Sequence, residues 1–147
     1  MKFTCTVKIN QPVNKVAQLF ADPKYMKEYQ DGFLSKELLK GNAGQNGAVS
    51  KILYKTGKRE MELIETIVDN SLPDQFVANY HHKHMDNSMK CQFISINDKQ
   101  TRYISEIEYT AFRGFVPKVM ATLFPGIFKK QVQKWLDNFK VFVENKN

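Results

Sequence analysis

Two cysteines in 147 residues leave no disulfide framework to staple a small fold together. Cys5 and Cys91 both fall inside alternating apolar and polar runs, the usual setting of free buried thiols. No apolar stretch reaches the roughly 18 residues that a membrane helix needs. The opening MKFTCTVKINQP has none of the continuous apolar core of a secretory signal. A soluble, cytoplasmic protein is the expectation. Motifs of nucleophilic and nucleotide chemistry are missing as well: no Gly-x-Ser-x-Gly, no Cys-x-x-Cys, and no glycine loop leading into a helix. The stretch from Gly41 to Gly47 is rich in glycine, yet it precedes a strand pattern and reads as a hairpin loop.

What is present is the composition of a single globular domain over residues 1–147, 42% hydrophobic and 25% charged. The net charge of +7 is unevenly spread. Residues 113–147 hold seven Lys/Arg against two Asp/Glu, so the excess lies mostly on the outside of the last helix. Such a face is first of all a solvated exterior, open to weak contact with an anionic surface. Its basic residues are not interleaved with exposed aromatics, so no nucleic-acid partner is expected.

Along the chain, residues 2–9 alternate strictly, with Phe3, Cys5, Val7 and Ile9 on one face. That is a half-buried strand. Asn10-Gln11-Pro12 then reads as a helix start, and Val13, Val16, Ala17 and Phe20 keep helical spacing up to Asp22-Pro23. Asp22 can cap a second short helix carrying Tyr25, Met26 and Tyr29. Turn signals at 41–47, 56–58, 70–74, 86–88 and 97–99 then divide the middle of the chain. They bound expected strands near 33–40, 48–55, 59–68, 75–84, 89–96 and 101–110. Connections this short make antiparallel neighbours.

The last third is helical. Val116, Val119, Met120, Leu123 and Phe124 form a first stretch, and Pro125-Gly126 interrupts it. On a helical wheel Phe128, Val132, Trp135, Leu136, Phe139, Phe142 and Val143 fall within an arc of about 120°. The other side is polar, with Val141 the one apolar intruder. A sheet of seven short strands needs a cover, and this helix is the long element available. A helix about 10 Å wide does not fill a curved trough, so large side chains or a cavity must take up the rest. Six Met, eleven Phe and six Tyr suit both outcomes.

The order of elements, with INQPVNKVAQLFADP at the strand-to-helix entry, GNAGQNGAV between strands and LPDQF opening a later one, resembles the START-related helix-grip (SRPBCC) superfamily. FPGIFKKQVQKWLDNFK is similar to the final helix of its small bacterial polyketide cyclase/dehydrase-like members. The resemblance implies an α+β helix-grip fold, a curved seven-stranded antiparallel sheet wrapped around a long C-terminal helix, with two short helices after the first strand. It also implies binding or transport of a small hydrophobic or amphipathic ligand, such as a lipid, quinone or polyketide-like compound. The superfamily hosts carriers, enzymes and chaperone cofactors, and lends no fixed set of catalytic residues.

Read from the residues, Glu65 shares its strand face with Met61, Leu63 and Ile67, which suggests a partly apolar setting for a carboxylate. His82 is expected to share a face with Phe76, Ala78 and Tyr80. His82 and His84 alone lack the third protein ligand of a catalytic metal site, so no metal is assigned. Glu106 and Glu108 read as cross-strand charge partners if their face is exposed. Candidate ligand-binding residues are Glu65, Tyr80, His82, Met120, Phe124, Phe128 and Trp135. The Phe124-Pro125-Gly126 break is the expected gate. No catalytic residue and no cofactor is assigned, and monomer and homodimer both stay open. Two rival readings are an enzyme of the cyclase or dehydratase type using Glu65, Tyr80 or His82, and a partner-binding module using Lys130 and Lys134.

Overall fold

A computed structural model describes all residues from Met1 to Asn147. Strand β1 (Lys2–Ile9) leads into helix α1 (Val13–Ala21), a single 3-10 turn at Pro23–Tyr25 and the short helix α2 (Met26–Tyr29). The Asp22 carboxylate accepts from the Lys24 amide at 3.1 Å and starts that turn, as its position before a proline suggests. Strands β2 (Phe33–Lys40), β3 (Val49–Thr56), β4 (Arg59–Ser71), β5 (Gln75–His81), β6 (Met85–Asn97) and β7 (Gln100–Phe112) follow as a meander. Helices α3 (Phe115–Leu123) and α4 (Pro125–Asn145) close the chain, broken at Phe124 as the Pro125-Gly126 pair dictates. No helix is long and apolar enough to cross a membrane.

The seven strands form one antiparallel sheet in the order β1-β7-β6-β5-β4-β3-β2. β1 pairs with β7 from Lys2 opposite Glu108 to Ile9 opposite Thr101, so the first strand extends the last hairpin. Helix α4 packs against β1 and α2 and lies on the concave face. Its buried residues are Leu136, Phe139 and Val143, with Val141 facing solvent as the wheel requires. Phe139 is the hub of the core, meeting the rings of Phe20, Tyr29 and Tyr103 at 6.0, 4.8 and 5.6 Å. At the far end of the helix, Glu144 accepts from the Asn10 amide at 2.6 Å, tying α4 to the β1–α1 turn. Gly32 is required where α2 meets β2: its φ is +81°, and a Cβ there would collide with the Lys55 carbonyl.

The β5–β6 boundary differs from the sequence reading in a way that matters for the site. β5 stops at His81, and the turn falls at His82–His84 instead of at Asp86-Asn87-Ser88. The His82 amide donates to the Met85 carbonyl at 2.9 Å and the Met85 amide returns to His82 at 3.2 Å, closing a two-residue hairpin around Lys83 and His84. The polar trio at 86–88 is held as strand by pairing with Ala111, Tyr109 and Glu108 of β7. Tertiary pairing overrides turn propensity there.

Candidate functional site

The concave face is lined by alternate residues of every strand. Leu63 and Glu65 of β4, Phe76, Ala78 and Tyr80 of β5, and Ser50, Ile52 and Tyr54 of β3 all look inward. Among these apolar and aromatic groups sits one carboxylate, Glu65, with 3% of its surface exposed. Register places Glu65 between Ser50 on one side and Tyr80 on the other. The Tyr80 hydroxyl donates to Glu65 Oε2 at 2.7 Å. Lys36 Nζ pairs with Oε1 at 2.9 Å, so one charged and one phenolic group hold the carboxylate. The small Ser50 side chain leaves the room for Lys36 to reach across β3. A buried carboxylate needs such partners, because leaving it alone would cost several kcal/mol, on the order of the penalty per buried ion.

Lys36 reaches this position through an irregularity. Phe33 stands opposite the inward Tyr54, and plain alternation would then point Ser35 and Glu37 inward. A bulge between Phe33 and Ser35 shifts the phase, so that Lys36 stands opposite Ile52 and faces the concavity. The sequence reading missed Lys36 for that reason.

A second polar group points into the interior from α4. Trp135 stacks on Tyr54 at 5.7 Å with 20° between ring planes. Its indole Nε1 is enclosed and has no hydrogen-bond acceptor. Tyr54 itself donates to Gln30 Oε1 at 2.7 Å. The interior thus carries one donor with nothing to give to and one carboxylate held by Lys36 and Tyr80. Burial pushes the hydroxyl of Tyr80 well above the ordinary phenol range, and the neighbouring Glu65 charge pushes it further. The same two causes, in the same order, raise Tyr54. Tyr80 as a whole is half-buried. Met61, Leu63 and Met89 share that half-buried state on the concave side.

The remaining predicted residues are scattered. Phe128 packs edge-on against Tyr109 and Phe112 at 5.1 and 5.8 Å, sealing the β7 end. Met120 is half-buried on α3, and Phe124 is 52% exposed. His82 does not join Tyr80 on the strand face, contrary to the sequence expectation. It lies in the hairpin turn, where its Nδ1 accepts from the His84 amide at 3.1 Å and its carbonyl receives the Arg113 guanidinium. Burial, then the charges of His84 and Arg113, lower its pKa. Glu106 takes the plain reading: it faces out and pairs with Lys2 at 2.9 Å. Two surface clefts of about 450 and 500 Å³ lie elsewhere, by Phe142 and by Asn46, and none of the predicted site residues lines either.

No protein-family description matches the sequence, and no curated protein matches it either. Solved structures match along nearly the whole chain. The Zhui aromatase/cyclase of Streptomyces sp. R1128 superposes with a TM-score of 0.81 at 10% identity, covering 98% of this chain and 93% of that one. A protein of Thermus thermophilus gives 0.77 at 13% identity, covering 97% of both chains. The di-domain aromatase/cyclase StfQ of the steffimycin biosynthetic pathway gives 0.77 at 12% identity, covering 97% of this chain and 45% of its own. The chain therefore has the helix-grip fold of the polyketide aromatase/cyclases. At this identity the likeness is one of fold.

Proposed function

We propose that the protein binds a small hydrophobic or amphipathic molecule on the concave face, between the sheet and α4. The carrying observation is the enclosed Trp135 Nε1, a buried donor with no acceptor, in the same interior that holds the Lys36–Glu65–Tyr80 group among aromatic and methionine side chains. Buried polar atoms are rarely left without partners, and sites that bind ligands are where they occur. A ligand with a carbonyl on an apolar frame would supply the acceptor that Trp135 Nε1 lacks, and a hydroxyl on the same frame would add a donor to the Glu65 carboxylate. Phenols, quinones and polyketide-like compounds have that chemistry. The aromatase/cyclases of the same fold support the size and type of ligand by analogy.

A second reading, catalysis, draws on the Glu65–Tyr80 pair. A carboxylate hydrogen-bonded to a phenol beside a bound carbonyl compound could move a proton in a cyclisation or dehydration. Lys36 argues for binding first, since it holds the carboxylate as an ion pair.

Trp135 is the sole tryptophan and reports directly on its own surroundings. Titration with 1-naphthol, a hydroxylated bicyclic probe, is expected to quench its fluorescence saturably, and Glu65→Gln to weaken that binding. Native mass spectrometry of the purified protein is expected to retain a small co-purifying molecule. A linear, non-saturating response together with a bare protein mass would remove the proposal.

A further inference from the structure

The corner formed by α3 and the start of α4 is turned inside out. α3 has no buried residue. Stepping about 100° per residue, Phe115, Val119, Leu123 and Val116 occupy one continuous arc of about 100°. Phe115, Val116 and Leu123 in that arc are 82, 67 and 64% exposed. Phe124 and Ile127 continue the strip across the helix break, each about half exposed. The side that faces the rest of the protein carries Pro117, Met120 and Ala121. An amphipathic helix in a soluble setting hides its apolar stripe; this one presents it.

The charge around the strip has a single sign. Between Glu108 and Asp137 the chain has no acidic residue, while Arg113, Lys118, Lys129, Lys130 and Lys134 all fall in that interval. Arg113 is committed to Asp86 at 2.8 Å and Lys134 to Asp31 at 2.9 Å. Lys118, Lys129 and Lys130 have no carboxylate partner and are exposed. Lys118 sits one turn from Phe115, and Lys130 one turn from Ile127, so the cations border the apolar strip directly.

The geometry points to an anionic lipid bilayer as the occupant of this surface, with Phe115, Val116, Leu123, Phe124 and Ile127 entering the acyl boundary and Lys118 and Lys130 meeting lipid headgroups. Large exposed apolar side chains rimmed by lysine are the two signals of interfacial binding together. A second copy of the chain fits less well. A two-fold contact would set the same patch against itself, bringing each lysine cluster toward its own image. Single-stranded nucleic acid would use stacked aromatic rings, whereas Val116, Leu123 and Ile127 offer none.

The test is vesicle co-sedimentation of the full chain, with phosphatidylcholine vesicles that contain or lack phosphatidylserine. Binding is expected only with phosphatidylserine, and it should fall when salt is raised from about 0.1 M to about 1 M, where the screening length shrinks from about 10 to about 3 Å. Each of Lys118→Glu and Lys130→Glu should weaken it by at least about fivefold, the worth of one surface lysine. Phe115→Ser with Leu123→Ser should abolish it. All four positions are exposed, so unchanged far-ultraviolet dichroism and Trp135 fluorescence will confirm the fold. Three results would overturn the assignment: no binding to either vesicle, equal binding to both, or binding indifferent to the serine substitutions. A dimer in solution that Leu123→Ser dissociates, without vesicle binding, would assign the patch to a second copy instead.

Discussion

The Tyr80 hydroxyl donates to Glu65 Oε2 at 2.7 Å on the enclosed face of the sheet, directly across the β4–β5 ladder. Hydrogen bonds to charged groups are worth about 1.5–3 kcal/mol when buried. Tyr80→Phe is expected to lower unfolding free energy by about that amount in urea denaturation, since the carboxylate loses its phenolic donor. Glu65→Gln strands Lys36 Nζ, whose side chain is 19% exposed. The double variant Lys36→Met with Glu65→Gln should therefore be more stable than Glu65→Gln alone. Equal stabilities would mean that the ion pair contributes nothing.

Alkaline conditions should unfold the protein through its tyrosines. Tyr29, Tyr54, Tyr80, Tyr103 and Tyr109 are all raised by burial, Tyr109 to about 12. A group whose pKa is higher folded than unfolded stabilises the fold fully below the unfolded value, here about 10, and loses that contribution as pH rises toward the folded value. Ultraviolet titration is expected to show phenolate absorbance from these five appearing together with loss of structure. Five phenols titrating smoothly in a folded protein would contradict their burial.

Phe139 is 1% exposed and touches rings from α1, α2, β6 and β7. Phe139→Ala should cost about 3–5 kcal/mol, the range for emptying a large aromatic position. Thermal melts and urea midpoints will read this loss. A loss below about 1 kcal/mol would show that the neighbouring rings close over the gap.

Arg113 clamps the end of β7 to the β5–β6 hairpin. Its guanidinium bonds both Asp86 oxygens at 2.9 and 2.8 Å, and its backbone amide donates to His84 at 2.7 Å. The Arg113 hydrogen bonds hold the Asp86 carboxyl down at about 2, with His81 assisting. A depressed carboxyl stabilises the fold above its unfolded pKa, near 4, and the contribution is lost as pH falls toward 2. Arg113→Ala should speed amide exchange across residues 113–124 while leaving α4 beyond Leu136 protected. Uniform exchange along the chain would show that the clamp holds nothing locally.

Cys91 is completely enclosed, and burial pushes its thiol up to about 11 despite contacts with Tyr103 and Ser105. Cys5 is raised by burial as well. Neither thiol should react with a disulfide reagent in the native state at neutral pH, and both should react on unfolding. Fast native labelling would place a thiol at the surface.

The sequence carried the elements well where period and punctuation agree. The break at Pro125 and the buried arc of α4 follow from spacing alone, and the bounds of β2 at 33–40 from the turn signals on either side. Glu65 was legible because its alternating neighbours Leu63 and Ile67 are apolar. What escaped were features set by pairing across the sheet. The strand from 85 to 97 carries turn-like residues at its start, yet β7 holds them extended. His82 consequently left the face assigned to it. Lys36 and the Arg113–Asp86 clamp depend on a bulge and on a contact 27 residues apart, and local spacing encodes neither.

The bulge at Leu34 gives β2 an unusual kind of control over the protein. Side-chain chemistry normally decides what charge an interior holds, but here a backbone count decides it. A β2 that kept every residue but lost the bulge would slip by one position, setting Ser35 opposite Ile52 and turning Lys36 toward water, away from Glu65. A one-residue slip in an edge strand is enough to change which charge the concave face holds.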